Sequence, residues 1–599
     1  REMDWYGGHM ALKMDEADLE GAIGAAIYSG WGHFGFHWIT PFHNIAGMLT
    51  ESASARLATP LYVHPDQLTG SRQLPEYEEQ TTFPNPWEGG WWRVRDIVDR
   101  QVVATFSPLE LAAQNRETVL RNAYNKAVRQ TQRGREGEIK AFLIPADQHD
   151  RLTMQKMVNK LLLQGITVQR ATSDFTHEGR AYESGSYIVS MAQPKQGVVR
   201  WLLGRTFYPD NTYTRDRDGN PIRPYDMSTD NLAEFMGVTV HPAATPVTAS
   251  TARVTQEIDP SGTVAQGRYG YVLDGRANDA FEAVNRLFAA GATVSRAHEA
   301  GSGFRRGDFV VSADADGAVV REIAEMTGVD FQALDTDPSG ATYPMSQQRI
   351  GMYQRYYGGN MDEGWTRWLL EDFFFPYATI MDEEILRGDL ADRWDVIILP
   401  DDSRQMMVEG PNDRSGVPPA YRSGFGQEGL DALDAFVEEG GTLVTLSEAG
   451  ELALADLDVP VRDAVAGVWG NDFWAPGSTL RIRVDNTHPL AYGMPENALA
   501  TFLAGGQVYE TLRGERSSHV HRIATYPERD ILQSGWLLGE ESIAEMAAMV
   551  EVEKGEGSVV MIGFRPQHRA QTHGTYKFLF NALMARPSSS SDVVEDGGG

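Results

Sequence analysis

The chain has 599 residues, contains no cysteine and carries a formal net charge of -30. The absence of Cys excludes disulfides, thiolate zinc sites, iron–sulfur clusters and Cys nucleophiles. The negative charge argues against nucleic acid and anionic membrane surfaces as main partners. With 42% hydrophobic and 23% charged residues, the composition is that of a multidomain globular protein, and no apolar run is long enough to span a membrane.

Residues 1–106 are rich in Gly, Trp and His. The stretch 21–38 has too much Gly for a stable helix and predicts strand and loop. HNIAGMLTESASA (43–55) predicts a buried strand that carries one carboxylate, Glu51. Such a Glu is either an edge residue that reaches solvent or a general base at the end of a strand.

A helix is predicted next, in the linking segment 107–137. Ser107-Pro108-Leu109-Glu110 fits a capping box with Pro at the first helical position. Gly134 supplies a stop signal near the other end. We therefore expect one helix that packs as a spacer between domains.

Residues 138–345 contain an internal repeat. NKLLLQGITVQRA (159–171) matches NRLFAAGATVSRA (285–297), and GSYIVS (185–190) matches GDFVVS (307–312). The positions that coincide include the pairs Asn159/Asn285, Leu161/Leu287, Gly165/Gly291, Val168/Val294 and Arg170/Arg296. Each copy predicts strand, helix, strand, loop, strand and helix, which indicates two similar α/β halves packed together.

Strands and helices alternate again in residues 346–586. The stretch 394–402 (WDVIILPDD) predicts a buried strand, and 430–441 predicts an amphipathic helix that ends at a Gly pair. A strand and tight turn follow at 442–450. The alternation predicts a parallel, doubly wound sheet, and the polar tail 587–599 is expected to be disordered. The predicted fold class is therefore α/β and multidomain.

Part of the first region resembles the C-terminal part of a zinc carboxypeptidase catalytic domain, of the carboxypeptidase A superfamily. The resemblance rests on residues 43–63, on AIYSGWG (26–32) and on NPWEGGWW (85–92). In that superfamily a strand near the end of the domain delivers a catalytic Glu, and a mobile Tyr precedes it. The resemblance implies that Glu51 is the general base for a zinc-bound water and that Tyr28, about 23 residues earlier, closes over the substrate.

The resemblance lacks the metal-binding half of the site. The family's zinc ligands come from a His-x-x-Glu motif and a later His, and no such motif precedes Tyr28. The resemblance therefore implies that zinc ligands and the carboxylate clamp lie upstream of Arg1, and that this chain alone does not hold zinc. His33 and His37, completed by Glu51, offer an alternative site, but the glycines between them disfavour the helix that this spacing requires.

The third region resembles the class I glutamine amidotransferase fold, on residues 394–402 and 440–450. In that family a Cys nucleophile follows the second of these strands, and Ser447 takes its approximate place here. A serine nucleophile needs a base, for which His568 and His573 are candidates. The alternative is a turn residue in a non-catalytic domain, buried or bonded to backbone.

The sequence thus predicts a metallocarboxypeptidase-like protein that hydrolyses peptide C-terminal bonds with zinc, of which this chain lacks the ligand half. The resemblance implies a secreted or periplasmic enzyme with peptide or protein substrates. The alternatives are a non-enzymatic binding protein on an amidotransferase-like scaffold and a serine hydrolase that uses Ser447. The oligomeric state stays open.

Overall fold

The computed structural model describes residues 2–24, 31–32, 35–55, 58–70, 76–468 and 470–584. The tail predicted to be disordered lies outside these residues. The described elements of the first region are α1 (Glu2–Glu16), α2 (Phe36–Phe42), β1 (Leu61–Val63), β2 (Gly90–Trp92), α3 (Val94–Gln114) and α4 (Arg116–Glu136). Helix α1 packs along α3, and β1 pairs with β2 in antiparallel fashion.

The predicted start and end of the helix in the linking segment are both wrong. Helix α3 begins at Val94 and passes through Pro108, so Ser107 is a buried helical residue rather than an N-cap. Packing against α1 maintains the helix across the proline, which overrides the local capping signal. Helix α4 continues through Gly134 to Glu136. A Cβ on Gly134 would lie 1.7 Å from the Met191 carbonyl oxygen, so this glycine permits close packing and does not stop the helix.

The middle region contains two sheets. The elements of the first half are β3 (Ala141–Ile144), α5 (Arg151–Leu163), β4 (Gln169–Ala171), β5 (Phe175–His177), β6 (Arg180–Tyr182), β7 (Tyr187–Ser190), α6 (Gln196–Leu203), α7 (Leu232–Met236), β8 (His241–Ala243) and β9 (Thr251–Arg253). Those of the second half are β10 (Gly270–Leu273), α8 (Asp279–Ala289), β11 (Val294–Ala297), β12 (Phe309–Ser312), α9 (Gly317–Thr327), β13 (Gln332–Leu334) and β14 (Thr342–Pro344).

The two halves have the same topology. The first five-stranded sheet has the order β8-β3-β7-β4-β9, and the second has the order β13-β10-β12-β11-β14. All the pairings within them are antiparallel. The interior strands β3 and β10, each second from one edge of its sheet, are buried along their whole length. The segments that repeat in sequence therefore occupy equivalent places in two sheets of one design.

The third region forms a larger sheet. Its elements are β15 (Ile350–Tyr353), α10 (Met361–Asp372), β16 (Tyr377–Ile380), α11 (Asp382–Leu386), α12 (Leu390–Arg393), β17 (Val396–Leu399), α13 (Arg404–Val408), α14 (Gly426–Glu438), β18 (Thr442–Leu446), α15 (Gly450–Asp456), β19 (Val461–Asp463), β20 (Ser478–Val484), β21 (Asn497–Phe502), β22 (Tyr509–Thr511), β23 (Val520–Thr525), β24 (Leu532–Ser534), β25 (Ala547–Lys554), β26 (Gly557–Ile562) and α16 (Tyr576–Ala582).

The larger sheet is parallel over only part of its width. Strands β16-β15-β17-β18-β26 are parallel, and the sheet then continues through the antiparallel strands β25, β23, β20 and β21. Alternate residues of β17 enter two different apolar clusters, since Val396 and Ile398 belong to one and Ile397 and Leu399 to the other. The parallel half is thus covered on both faces, as its continuous apolar strands predict. The prediction of a wholly parallel sheet is wrong.

No helix in the described ranges combines the length and the apolar character that crossing a membrane requires.

Candidate functional site

Glu51 lies on an irregular segment fixed to helix α3. The Thr50 hydroxyl donates to Oε1 of Gln101 at 2.9 Å, and Nε2 of Gln101 donates to the Ser52 hydroxyl at 3.0 Å. The Trp92 indole N–H donates to the carbonyl oxygen of Ala53 at 2.8 Å. Both neighbours of Glu51 are bonded to Gln101 of α3, and the Glu51 side chain between them is exposed.

The prediction of a buried strand around Glu51 is wrong. Residues 43–55 are described, but they form none of the described strands, and the Ile45 side chain is 56% exposed. Tyr28, which the resemblance implicates, and His33 of the alternative zinc site lie outside the described residues, as does the side chain of His37. The structure therefore describes Glu51 but does not describe its expected companions.

The described residues do not supply a zinc site around Glu51. No group of three or more His, Cys, Asp or Glu side chains within them is arranged to hold a metal ion. His43, the nearest described imidazole in sequence, accepts a hydrogen bond at Nδ1 from the Lys195 ammonium at 2.7 Å. This contact joins the first region to α6, which makes a structural role the simplest account of His43.

Ser447 follows β18 at the carboxyl edge of the large sheet, where its backbone is left-handed with φ of 52°. A residue held in this conformation after a strand has the geometry of a nucleophile turn. The side chain is fully buried, however, and its hydroxyl has no hydrogen-bond partner among the described residues. Nε2 of His568 likewise has no partner in this part of the chain, so the two atoms are not bonded to each other.

The two candidate bases are poor proton acceptors. Burial lowers the pKa of the His568 imidazole to about 3, and burial lowers that of the His573 imidazole to the same range. His573 Nδ1 is within 2.9 Å of the carbonyl oxygen of Gln571 and so acts as a donor. The serine–histidine arrangement that hydrolysis requires is therefore not formed by these residues.

A buried carboxylate cluster, which the sequence analysis missed, lies at the same edge. Asp362 at the start of α10 accepts through Oδ2 from the main-chain N–H of Asp401 at 3.0 Å and from Nε2 of Gln567 at 2.9 Å. Arg565 forms an ion pair with Asp401, and its Nε lies 3.9 Å from Oδ1 of Asp362. Burial raises the pKa of the Asp362 carboxyl to about 6. In the sequence, this cluster could have been suspected from two consecutive acids, Asp401 and Asp402, directly after a predicted buried strand.

The neighbouring loops are tied into the same network. Arg355, which follows β15, pairs with Asp402 at 2.9 Å. Asn360 caps α10 and donates through Nδ2 to the carbonyl oxygen of Asp401 at 2.9 Å. The main-chain N–H of Glu448 donates to Oδ1 of Asp401 at 2.8 Å. Side chains after β15, β17 and β26 and the main chain after β18 are thus bonded to one another, which fixes these loops.

Comparisons with known proteins assign no family. No protein-family model matches the chain, and no curated protein matches it. Among solved structures, the chain is similar to a cytoplasmic protein of Salmonella typhimurium, with a TM-score of 0.27 and 12% identity over 39% of this chain and 97% of that one. For a chain described as ThuA-like from Bacteroides uniformis, the TM-score is 0.24 and the identity 13%, over 39% of this chain and 89% of that one. For an exo-β-1,4-mannosidase of an Opitutaceae bacterium, the TM-score is 0.24 and the identity 12%, over 46% of this chain and 40% of that one. These scores are too low to carry an assignment.

Proposed function

We propose that this chain contributes Glu51 to the active site of a zinc carboxypeptidase-like protein that hydrolyses peptide C-terminal bonds. The observation that supports the proposal is the attachment of Thr50 and Ser52 to Gln101. An exposed carboxylate whose neighbours are both fixed can reach a substrate without its segment first being ordered. The small neighbours Ser52 and Ala53 leave room for a peptide backbone beside it.

In this proposal Glu51 moves protons. Hydrolysis of an amide requires a base that takes a proton from the attacking water and an acid that returns it to the leaving amine, and one carboxylate can do both in turn. Tyr28, by resemblance, contacts the substrate's terminal residue. The described residues do not fit zinc, so the metal that the resemblance implies requires ligands other than these. A secreted or periplasmic location and a peptide or protein substrate belong to the same proposal.

The proposal is tested in the intact protein as isolated from its source, with a blocked dipeptide that ends in a free carboxylate. Glu51→Gln should lower turnover by about 10²–10⁴-fold, the usual contribution of general acid–base catalysis, with bound zinc unchanged. The matched control is Glu88→Gln, which removes another exposed carboxylate of the same region and should leave turnover unaltered. Equal turnover in Glu51→Gln and wild type would reject the assignment.

A second candidate function concerns the third region, for which we propose a non-catalytic binding role on an amidotransferase-like scaffold. The observation that favours it is the buried Ser447 hydroxyl, which has no base bonded to it. The neighbouring carboxylate cluster also supports a non-catalytic role, because its acids are bonded to Arg565, Gln567 and main-chain donors.

A further inference from the structure

A cleft runs between the middle region and the antiparallel part of the large sheet. It consists of an inner cavity of about 510 Å³ and an outer cavity of about 710 Å³. The two are neighbours, since both are lined by Arg205, Asn497, Ala498 and Leu499. The inner volume lies within the range of pockets that hold small organic ligands, which commonly form where two packed units meet.

Five arginines line this cleft: Arg200, Arg205, Arg481, Arg483 and Arg529. In the described part of the chain, none of them has a carboxylate oxygen within 4 Å. Among the described residues, Nη1 of Arg200 is buried without a hydrogen-bond partner, and its Nη2 donates to the carbonyl oxygen of Arg205 at 3.1 Å. Arg481 donates to the carbonyl oxygens of Asp530 and Leu532, and Arg205, Arg483 and Arg529 are exposed. Exposed guanidinium groups without a carboxylate partner are available to an anionic ligand.

The fold holds two of these arginines in place by strand alternation. Along β20 the residues Leu480 and Ile482 are buried, so Arg481 and Arg483 point to the opposite face. Arg481 lies opposite Leu499 on β21, and Arg483 lies opposite Asn497. Cross-strand partners share a face of the sheet, which explains why these four side chains line one cavity wall.

Arg205 lines both cavities. Its Nε donates to the carbonyl oxygen of Gln533 at 2.8 Å, and its guanidinium lies 5.1 Å from the ring centre of Phe207. These contacts hold the stem and one edge of the guanidinium, and the remaining edge carries donors suited to a bidentate anion. Arg205 is exposed, so a ligand can reach it from the outer cavity.

The acids near the cleft interact with the arginines electrostatically but form no described ion pair with them: Glu234 acts on Arg205 and Arg481, and Asp530 acts on Arg481. Glu234 accepts from the Ser534 hydroxyl at 2.7 Å through Oε1, and burial raises the pKa of its carboxyl. Asp150 caps α5 and accepts from the main-chain N–H groups of Thr153 and Asn278. At the inner end, the pKa of His149 is lowered to about 4 by burial, which leaves the imidazole neutral at pH 7.

The other charged groups around the cleft have partners within the protein. Lys577 donates to the carbonyl oxygen of Arg276 and to Asn278, at 2.8 Å in each case. Asp530 lies at the outer rim and is exposed. The remaining inner wall is apolar, formed by Phe142, Leu203, Ala233, Met236, Val238 and Pro242.

We propose that this cleft binds a small organic anion, with its apolar body in the inner cavity and its carboxylate or phosphate group on Arg200 and Arg205. The guanidinium fork matches both planar carboxylate and phosphate oxygens. The outer arginines attract the anion and increase its association rate. The site does not involve Glu51, and the inference does not rest on the proposed peptidase function.

Calorimetric titration of the 599-residue chain tests the site with three probes: N-acetylphenylalanine, phenyl phosphate and inorganic phosphate. The carboxylate and the phosphate monoester distinguish the two possible anionic groups, and inorganic phosphate measures the contribution of charge alone. We expect one of the two organic anions to bind at one site per chain, more tightly than inorganic phosphate. N-acetylphenylalanine amide, which lacks the charge, should bind at least about tenfold more weakly than N-acetylphenylalanine if the carboxylate is preferred.

Two variants and a control complete the test. Arg205→Ala should weaken binding of the preferred probe at least about tenfold, and Arg483→Glu should weaken it and reduce its salt dependence. Both side chains are exposed, so neither change should disturb folding, which thermal unfolding will check. Arg387→Ala, an exposed arginine on the parallel half of the sheet, should bind as wild type does. Absence of binding by both organic anions, or equal loss in all three variants, would overturn the proposal.

Discussion

The carboxylate of Asp362 accepts a hydrogen bond at 3.0 Å from the main-chain N–H of Asp401, although Asp362 lies in helix α10 and Asp401 lies on the loop after β17. In the parallel half of the sheet, the chain goes from β15 to β16 on one side and then to β17 on the other side of β15. The strand order therefore reverses between β15 and β17, and Asp362 and Asp401 follow these two strands. Ligands of open α/β sheets bind at such a point. Here the protein's own side chains take that place, with Arg565 between the acids.

Stability between pH 4 and 6 should depend on Asp362. Burial raises the pKa of its carboxyl from 3.8 to about 6, so the folded state binds the proton more tightly than the unfolded state. The stabilising contribution is present below about pH 4 and is lost as the pH rises through about 6. The shift corresponds to about 3 kcal/mol at most. Asp362→Asn should make the free energy of unfolding less dependent on pH in this range.

Denaturant titrations at several pH values measure this effect. The matched control is Asp218→Asn, which alters an exposed carboxyl in a turn of the middle region. That variant should retain the wild-type slope between pH 4 and 6. An identical slope in Asp362→Asn would show that the Asp362 carboxyl is not protonated in the folded protein near pH 5.

Gly134→Ala should destabilise the contact between α4 and the middle region. The added Cβ would lie 1.7 Å from the carbonyl oxygen of Met191 and 2.3 Å from its carbonyl carbon. Because backbone atoms must move to make room, we expect a loss of at least about 2 kcal/mol in the free energy of unfolding. Gly8→Ala is the control, since a Cβ on this helical glycine has no neighbour within 4 Å. It should stabilise the protein by up to about 1 kcal/mol, as measured by thermal unfolding.

The repeat was readable from the sequence because its matching residues make matching contacts. Arg170 lies opposite Tyr187 across two strands, with its guanidinium 6.0 Å from the ring centre. Arg296 lies opposite Phe309 in the second half, 3.7 Å from that ring centre. An Arg–aromatic cross-strand pair thus recurs at the same place in both sheets. Residue patterns of this kind are local, so sequence alone could indicate two similar halves.

The remaining features depend on contacts between residues that are distant in sequence. The signal at Ser107-Pro108 predicts a helix start, but packing of α3 against α1 outweighs it. The cluster of Asp362, Asp401 and Arg565 forms only when three strands and a helix come together. The arginines of the cleft come from two regions of the chain, and strand alternation could predict only the pair on β20.

Gln101→Ala should release the segment that carries Glu51. The substitution removes the hydrogen bonds with Thr50 and Ser52, which together should contribute about 1 kcal/mol because the site is partly exposed. Amide hydrogen exchange at residues 50–53 should become faster, and exchange in β1 should not change. Gln114→Ala is a suitable control, since Gln114 lies on the same helix and bonds only to the exposed Glu110 among the described contacts. Equal exchange rates in both variants would contradict the attachment of this segment to α3.

The third region should not react with a fluorophosphonate probe at Ser447. A hydroxyl without a base is a weak nucleophile, and burial removes this one from solvent altogether. Protonation of either candidate imidazole, His568 or His573, is unfavourable, because burial lowers the pKa of each to about 3. We expect the intact chain and Ser447→Ala to give the same background labelling. Labelling of one equivalent in the intact chain that is lost in Ser447→Ala would instead identify Ser447 as a nucleophile, and would require the loops around it to open and bring an imidazole to its hydroxyl.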